Sequence, residues 1–178
     1  MSDDCVTVVE ISVGPLDAAD RADTVIAWLV DAGVVVPNPR REEVWQPGAY
    51  RPGPKVRVAA PDWQETDYTL ANNGVDVVVE RQLYHSVEAY QAPSCPTCGH
   101  PLDESTHEGL MTPWLDGTEP QVRCPACDAV HPLGDWPGSF QVGELAVSFH
   151  NWPPLADDFL ASLGARMGPR WRVVHEHY

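Results

Sequence analysis

The chain is poor in positive charge and has no long hydrophobic run. It has 178 residues, with 11 Lys and Arg against 26 Asp and Glu, which gives a formal net charge of −15. A surface this negative repels phosphate backbones and anionic lipids, so general nucleic-acid or membrane binding is disfavoured. No apolar stretch approaches the ~20 residues that span a bilayer, and the start of the chain, Met1-Ser2-Asp3-Asp4, does not look like a secretory signal. We therefore expect a soluble, cytoplasmic protein.

The short signatures of common enzyme classes are also missing. The sequence contains no G-x-S-x-G, G-x-x-x-x-G-K, G-x-G-x-x-G or H-E-x-x-H motif, so it shows no standard nucleophile, phosphate-binding or zinc-protease signature. Hydrophobic residues make up 43% of the chain, which is enough for a packed core. The length predicts one domain with one core and room for an insertion.

The hydrophobic pattern predicts two β-α-β units separated by a cysteine-rich stretch. β-branched runs indicate strands, and apolar residues at helical spacing indicate two amphipathic helices. The prolines of residues 37–63 argue against continuous regular structure there, apart from an extended piece at 55–59. In chain order, the predicted elements are a strand at 5–13, a helix from the N-cap Asp17 to Gly33, strands at 75–84 and 141–150, a helix from Leu155 to Met167, and a strand at 170–178.

This order resembles the ferredoxin-like split βαβ fold, an α+β arrangement in which two helices cover one face of an antiparallel sheet. The resemblance implies a core of residues 1–85 and 140–178, with a Pro-rich loop at 37–63 and an insertion at 86–139. Alternation along the strands then divides the side chains into two sets. Beneath the helices we expect Val9, Ile11, Val75, Val77, Val79, Leu145, Val147 and Phe149. On the open face we expect Glu10, Ser12, Glu80, Tyr84, Glu144 and His150.

Four of the five cysteines form a pattern typical of a metal site. They lie in two C-x-x-C turns, Cys95-Pro96-Thr97-Cys98-Gly99 and Cys124-Pro125-Ala126-Cys127-Asp128. Each turn directs two sulfurs to one point, so together the turns offer four thiolates for tetrahedral Zn²⁺. The first turn resembles the knuckle of zinc ribbon proteins, and the second matches it except that Asp128 replaces the glycine. The resemblance covers residues 93–133 and implies an inserted zinc ribbon with one structural Zn²⁺ per chain, held by Cys95, Cys98, Cys124 and Cys127.

Two other uses of these cysteines remain open at this point: a redox-active dithiol, and an iron or iron–sulfur site. Both pairs lie in proline-containing turns, not at a strand-to-helix junction, which favours metal binding over thiol redox chemistry. Since four thiolates complete a zinc site, we expect His100, His107 and His131 to be surface or supporting groups. Cys5 begins an apolar strand with no base next to it in sequence, and we expect a buried structural thiol.

Two further segments are candidate binding sites. The first, residues 40–57, could bind an anion or a single strand, or its cations could fasten the loop to an acidic body, which is the interpretation we favour. Its relevant residues are Arg40, Arg41, Trp45, Tyr50, Arg51, Lys55 and Arg57. The second is the pair His175 and His177. Both lie on one side of the last strand, where they could share a metal or face solvent.

Two functions follow from these observations. The first is a non-enzymatic zinc-binding adaptor or protein-interaction module, whose acidic surface binds a basic protein. The open sheet face could also pair with a second copy of the chain. The second is a small enzyme that uses the acidic open face, with zinc purely structural. A pocket that joins the acidic groups of this face would favour the enzyme, and a covered face would favour the adaptor. The candidate partner-binding residues are Glu10, Glu80, Tyr84, Glu144 and His150.

Overall fold

The computed structural model describes residues 4–39, 48–66, 73–86, 90–138 and 140–177. Over these residues the chain is an α+β protein. Its elements are β1 (Asp4–Glu10), α1 (Pro15–Asp31), β2 (Val35–Pro37), β3 (Tyr50–Pro52), β4 (Gly74–His85), α2 (Glu104–Leu115), β5 (Gln121–Arg123), β6 (Val130–Pro132), β7 (Phe140–His150), α3 (Asp157–Met167) and β8 (Trp171–His177). None of the described helices is long and apolar enough to cross a membrane.

Six strands form one curled antiparallel sheet in the order β2-β3-β4-β7-β1-β8, while β5 and β6 form a separate hairpin. β4 has an irregular register between Val79 and Gln82, which bends the strand and increases its twist. The short strands β2 and β3 extend the sheet on the side of β4, in and next to the region where prolines argue against regular structure. The predicted extended piece at 55–59 is instead a 3₁₀ turn at Val56–Val58.

The first helix starts before its predicted N-cap. α1 begins at Pro15, with Gly14 as the N-cap, because proline fits the first helical position, where no N–H donor is needed. Asp17 lies inside the first turn, where its negative charge favours the positive end of the helix dipole. The buried face of α1 consists of Ala18, Ala22, Val25 and Leu29.

The sheet packs hydrophobic side chains on both of its faces. On the helix-side face, α1 and α3 cover a core that includes Val8, Val75, Leu145, Val147 and Phe149. The opposite face is named the insertion-side face, after the predicted insertion at residues 86–139. There, the sheet residues Val9, Ile11, Val142 and Ala146 pack with Met111, Trp114, Leu133 and Trp136 of the cysteine-rich stretch. The protein therefore has two cores instead of the predicted one, and the face predicted to be open is largely covered by the insertion.

The predicted assignment of faces is wrong for β1. Val8 pairs with Val147 and Glu10 pairs with Leu145, so Glu10 lies on the helix-side face. Val9 pairs with Ala146 on the insertion-side face. β1 is apolar on both sides because both of its faces are covered, and alternation alone then does not show which set of side chains faces the helices.

Glu10 is a buried charged side chain that fixes the turn after β1. It is 0% exposed. Its carboxylate accepts hydrogen bonds from the backbone N–H groups of Ser12 at 2.7 Å, Val13 at 2.5 Å and Arg170 at 3.0 Å. The Ser12 hydroxyl is also within 2.6 Å of it. Glu10 thus connects the end of β1 to the start of β8, and this structural role explains its burial.

Replacing Glu10 should lower stability much more than the same change at an exposed glutamate. The variant E10Q places an amide against backbone donors and should lower the free energy of unfolding by about 2–4 kcal/mol. Glu80 is exposed on β4, so E80Q is the matched control and should change stability by less than about 0.5 kcal/mol. Denaturant unfolding measures both, and equal effects would contradict the role of Glu10.

Candidate metal centre

The four cysteines of the two C-x-x-C turns meet at one point. All four Sγ atoms lie within 4.8 Å of one another. The Sγ atoms of Cys95 and Cys127 are 3.7 Å apart, and those of Cys98 and Cys124 are 3.6 Å apart. A tetrahedron with Zn–S bonds of about 2.3 Å has sulfur–sulfur edges of about 3.8 Å. The donor set therefore fits Zn²⁺ in both chemistry and spacing, and the cysteines form no disulfide.

Both turns are built in the same way. In the first, the N–H of Gly99 donates to Cys95 O at 2.8 Å, and the N–H of Asp128 donates to Cys124 O at 2.9 Å in the second. Gly99 and Asp128 have positive φ angles of 73° and 61°. Aspartate is one of the few non-glycine residues that adopt this left-handed conformation readily. Asp128 therefore takes the place of the second glycine without changing the form of the turn.

Burial divides the four cysteines into two pairs. Cys95 and Cys124, the first cysteine of each turn, are buried and belong to the core on the insertion-side face. Cys98 and Cys127, the second cysteine of each turn, are exposed. An ion held by all four would connect the second hydrophobic core to the surface of the insertion.

The four thiols do not ionise equally without a cation. For Cys95, burial raises the pKa, but hydrogen bonds from the backbone N–H groups of Cys98 and Thr97 and from the Cys124 and Cys127 thiols together lower it to about 7. For Cys127, a backbone hydrogen bond at Ala129 lowers the pKa, but the neighbouring thiols and burial raise it to about 12. Because a thiolate is the form that binds metal, Zn²⁺ binding at neutral pH must release protons from this site.

Nearby histidines are not part of the thiol cluster. Within the described residues, the group that could hold a metal consists of the four cysteines alone. The Nε2 atom of His131 is 2.8 Å from Thr97 Oγ1, and His100 is exposed. Four protein ligands leave no open coordination position, which is typical of structural and not of catalytic zinc.

A network of ion pairs fastens the insertion to the edge strand β8. Arg170 forms a bidentate pair with Glu119, with both N–O distances at 2.7 Å. Its guanidinium also lies 2.8 Å from Asp135, which Arg172 contacts at 3.0 Å. The hydrogen bond to Glu119, and then that to Asp135, raise the pKa of Arg170 above its usual range. No local sequence pattern predicts this network, because its partners are distant along the chain.

The residues predicted on an acidic open face do not form one. Glu10 and Tyr84 are buried. Arg81 binds Glu144 at 2.9 Å and also donates to Trp114 O. His150 Nε2 lies 3.2 Å from Asp76 Oδ2. Of the three glutamates predicted on the open face, Glu80 alone is exposed.

His150 belongs to a polar cluster that sequence reasoning missed. It lies directly opposite Cys5 in the pairing of β7 with β1. The hydrogen bond to Asp76, and next the side chain of Cys5, raise the pKa of His150 to about 10 against the opposing effect of burial. Cys5 therefore has a basic residue beside it, on the neighbouring strand and not in the neighbouring sequence. Only the strand register reveals this contact.

In the two other candidate binding segments, the described side chains contact their own loop or a neighbouring strand. Arg40, Arg41 and Trp45 lie outside the described residues, and Arg57 donates to Trp63 O at 3.1 Å within its own loop. Tyr50 begins β3, while Arg51 and Lys55 are exposed. His177 contacts Asp4 on β1, and His175 is exposed. Among the described residues, neither histidine joins a group of potential metal ligands.

In comparisons with known proteins, no family model matches the chain, and no curated protein or solved structure matches it. The function must therefore be argued from the residues and their geometry.

Loss of one buried cysteine should release the metal and unfold the insertion. The wild-type protein should carry about one Zn²⁺ per chain, and C124S should lose it, because a site with three thiolates and an alcohol binds Zn²⁺ far more weakly. C5S removes a buried cysteine outside the cluster and is the matched control, with zinc retained. Elemental analysis and hydrogen exchange over residues 90–138 test this, and full zinc occupancy in C124S would contradict it.

Buried His107 should make the protein less stable as the pH falls. His107 on α2 is 1% exposed, and its Nδ1 atom is 3.0 Å from the Tyr90 hydroxyl. Burial lowers the pKa of His107, so the unfolded chain takes up a proton near pH 6.5 before the folded chain does. The free energy of unfolding should therefore fall as the pH drops below about 6.5.

Denaturant unfolding at several pH values measures this dependence in wild type and variants. H107F should reduce the loss of stability between about pH 6.5 and 5, because it removes the titrating group. H175Q alters an exposed histidine and should retain the wild-type dependence. An unchanged dependence in H107F would show that other groups cause the loss.

Proposed function

We propose that the protein is a non-enzymatic, zinc-stabilised adaptor of the cytoplasm that binds a partner protein. The observation that carries this proposal is the closed cluster of four cysteines, two of which are part of a hydrophobic core. A zinc ion held by four cysteines has no open coordination position at which a substrate could bind. Zn²⁺ would be held by Cys95, Cys98, Cys124 and Cys127, and its contribution would be to keep the insertion folded over the sheet.

At the level of the fold, we assign residues 1–85 and 140–178 to a ferredoxin-like core and residues 86–139 to an inserted zinc ribbon. The order of the four long strands, β8-β1-β7-β4, supports the first assignment, as do α1 and α3 on one face. The two matching turns support the second. These likenesses concern architecture and carry no activity with them.

The acidic outer side of α1 is the surface that we propose for the partner. Asp17, Asp20, Asp23 and Asp31 are all exposed on this helix. Together with the net charge of −15, they favour a partner with a basic surface, because opposite potentials accelerate association. The carboxylates predicted on the sheet are less suited to this role, since Glu10 is buried and Glu144 is paired with Arg81.

The alternative of an enzyme on the acidic sheet face has little support from the geometry. General acid–base catalysis needs groups within hydrogen-bond reach of one substrate. Glu10 lies on the helix-side face, whereas Glu144 and His150 belong to the other set of side chains in β7. The covering insertion also leaves this face without the open surface that the enzyme hypothesis requires.

Charge reversal on α1 should slow partner binding. The zinc-loaded protein serves as bait in a native extract, and the captured partner is then purified for kinetic measurements. D20R/D23R should lower the association rate constant about tenfold at low salt and flatten its salt dependence. E80R on β4 is the control surface and should change the rate less than about twofold. Equal rates for wild type and D20R/D23R would exclude α1 as the docking surface.

A further inference from the structure

Cys5, His150 and Asp76 lie side by side on three neighbouring strands. Cys5 on β1 and His150 on β7 are direct partners in the strand register, so their side chains leave the same face of the sheet. His150 Nε2 is 3.2 Å from Asp76 Oδ2 on β4. The imidazole therefore lies between a thiol and a carboxylate, the order in which an activated nucleophile, its proton carrier and an orienting group are arranged.

The carboxylate of this cluster is itself held in place. Asp76 Oδ1 accepts a hydrogen bond from the backbone N–H of Ala49 at 2.8 Å, while its other oxygen contacts His150. The charge on Asp76 favours the protonated imidazole, so His150 carries a proton at neutral pH. A cation next to a sulfur stabilises the negative charge of a thiolate.

Hydroxyl groups complete the surroundings of the sulfur. Cys5 Sγ is 3.5 Å from Thr7 Oγ1, which is 3.0 Å from Ser148 Oγ on the neighbouring strand. Cys5 is only 5% exposed, whereas the His150 side chain is 37% exposed. Because so little of Cys5 is exposed, a reagent must be small to reach the sulfur.

We propose that Cys5 is a modification site that hydrogen peroxide oxidises to a sulfenic acid, with His150 as the proton donor. The size limit favours peroxide over a peptide or an acyl substrate. The hydroxyl groups of Thr7 and Ser148 provide polar contacts for an oxygen atom bound to the sulfur. This reactive thiol is separate from the four cysteines of the metal centre and goes beyond the adaptor function.

The proposed step balances in atoms and electrons. The Cys5 thiolate attacks one oxygen of the peroxide, so that an S–O bond forms and the O–O bond breaks. The sulfur loses two electrons, and the peroxide gains them. The second oxygen leaves with the proton of the His150 imidazolium and the hydrogen that it already carries, as water. The products are the Cys5 sulfenic acid and a neutral imidazole.

The test treats the zinc-loaded full chain with hydrogen peroxide, measures the bound zinc, removes the remaining peroxide with catalase, and then unfolds the protein in dimedone so that every sulfenic acid is trapped. Peptide mass spectrometry should find the label at Cys5 before Cys98 or Cys127, while zinc stays bound. The rate constant should exceed that of glutathione under the same conditions by about tenfold or more. No label at Cys5, or a rate equal to that of glutathione, would overturn the proposal.

A second measurement separates proton donation from a general effect on the fold. Methyl iodide is also small, and it alkylates the same thiol but releases iodide, which needs no proton. H150Q should therefore slow oxidation by peroxide about tenfold or more, and should slow alkylation much less. H175Q, on the exposed part of β8, should change neither rate. Equal losses in both reactions for H150Q would overturn the role of His150.

If H150Q does not fold, D76N keeps the imidazole and removes the group that positions it. Its peroxide rate should again fall more than its alkylation rate, with the circular dichroism spectrum unchanged. An unchanged ratio of the two rates in folded D76N would also overturn the proposal.

Discussion

The central sheet buries apolar side chains on both faces, so the protein needs a covering layer on each side. α1 and α3 cover one face. The other face depends on the insertion, whose Trp114, Leu133 and Trp136 bury the sheet residues Val9, Val142 and Ala146. Removing this layer would expose a contiguous apolar surface, which soluble proteins rarely tolerate. The fold of the insertion is therefore a condition for the stability of the whole domain.

Besides this hydrophobic packing, two polar constraints hold the insertion in place: the cysteine cluster within it and the ion pairs at its border with β8. Its strands β5 and β6 have three residues each, and such a short hairpin is marginally stable without additional constraints. The four cysteines supply an internal constraint through the proposed ion. Glu119 and Asp135 supply an external one, since they bind Arg170, just before β8, and Arg172 on β8. Glu119 also accepts a hydrogen bond from Gly134 N–H at 2.9 Å, so it orders the insertion that it anchors.

The sequence was sufficient for features determined by local pattern and insufficient for those determined by strand register. The periodicity predicts α1, α3 and the long strands, and the two C-x-x-C turns predict the cysteine cluster. The hydrophobic pattern did not predict α2, because this helix is only weakly amphipathic and has Pro113 in its interior. The pattern also assigned Glu10 to the wrong face of the sheet, because β1 carries apolar residues on both of its faces. The contact of Cys5 with His150 depends on residues far apart in the chain, and no local signal marks it.

Ion pairing decides which charged groups contribute to the field around the protein, although it leaves the net charge of −15 unchanged. Several of the chain's few cations lie in internal contacts: Arg81 binds Glu144, while Arg170 and Arg172 bind Glu119 and Asp135. Such pairs are neutral as units and contribute little to the field at a distance. Asp20 and Asp23 on α1 are exposed and form no ion pair among the contacts of the described residues, so they contribute to this field. Exposed charges are screened over about 10 Å at 0.1 M salt, so binding of the proposed partner to α1 should depend on ionic strength, whereas the packing of residues 90–138 against the sheet need not.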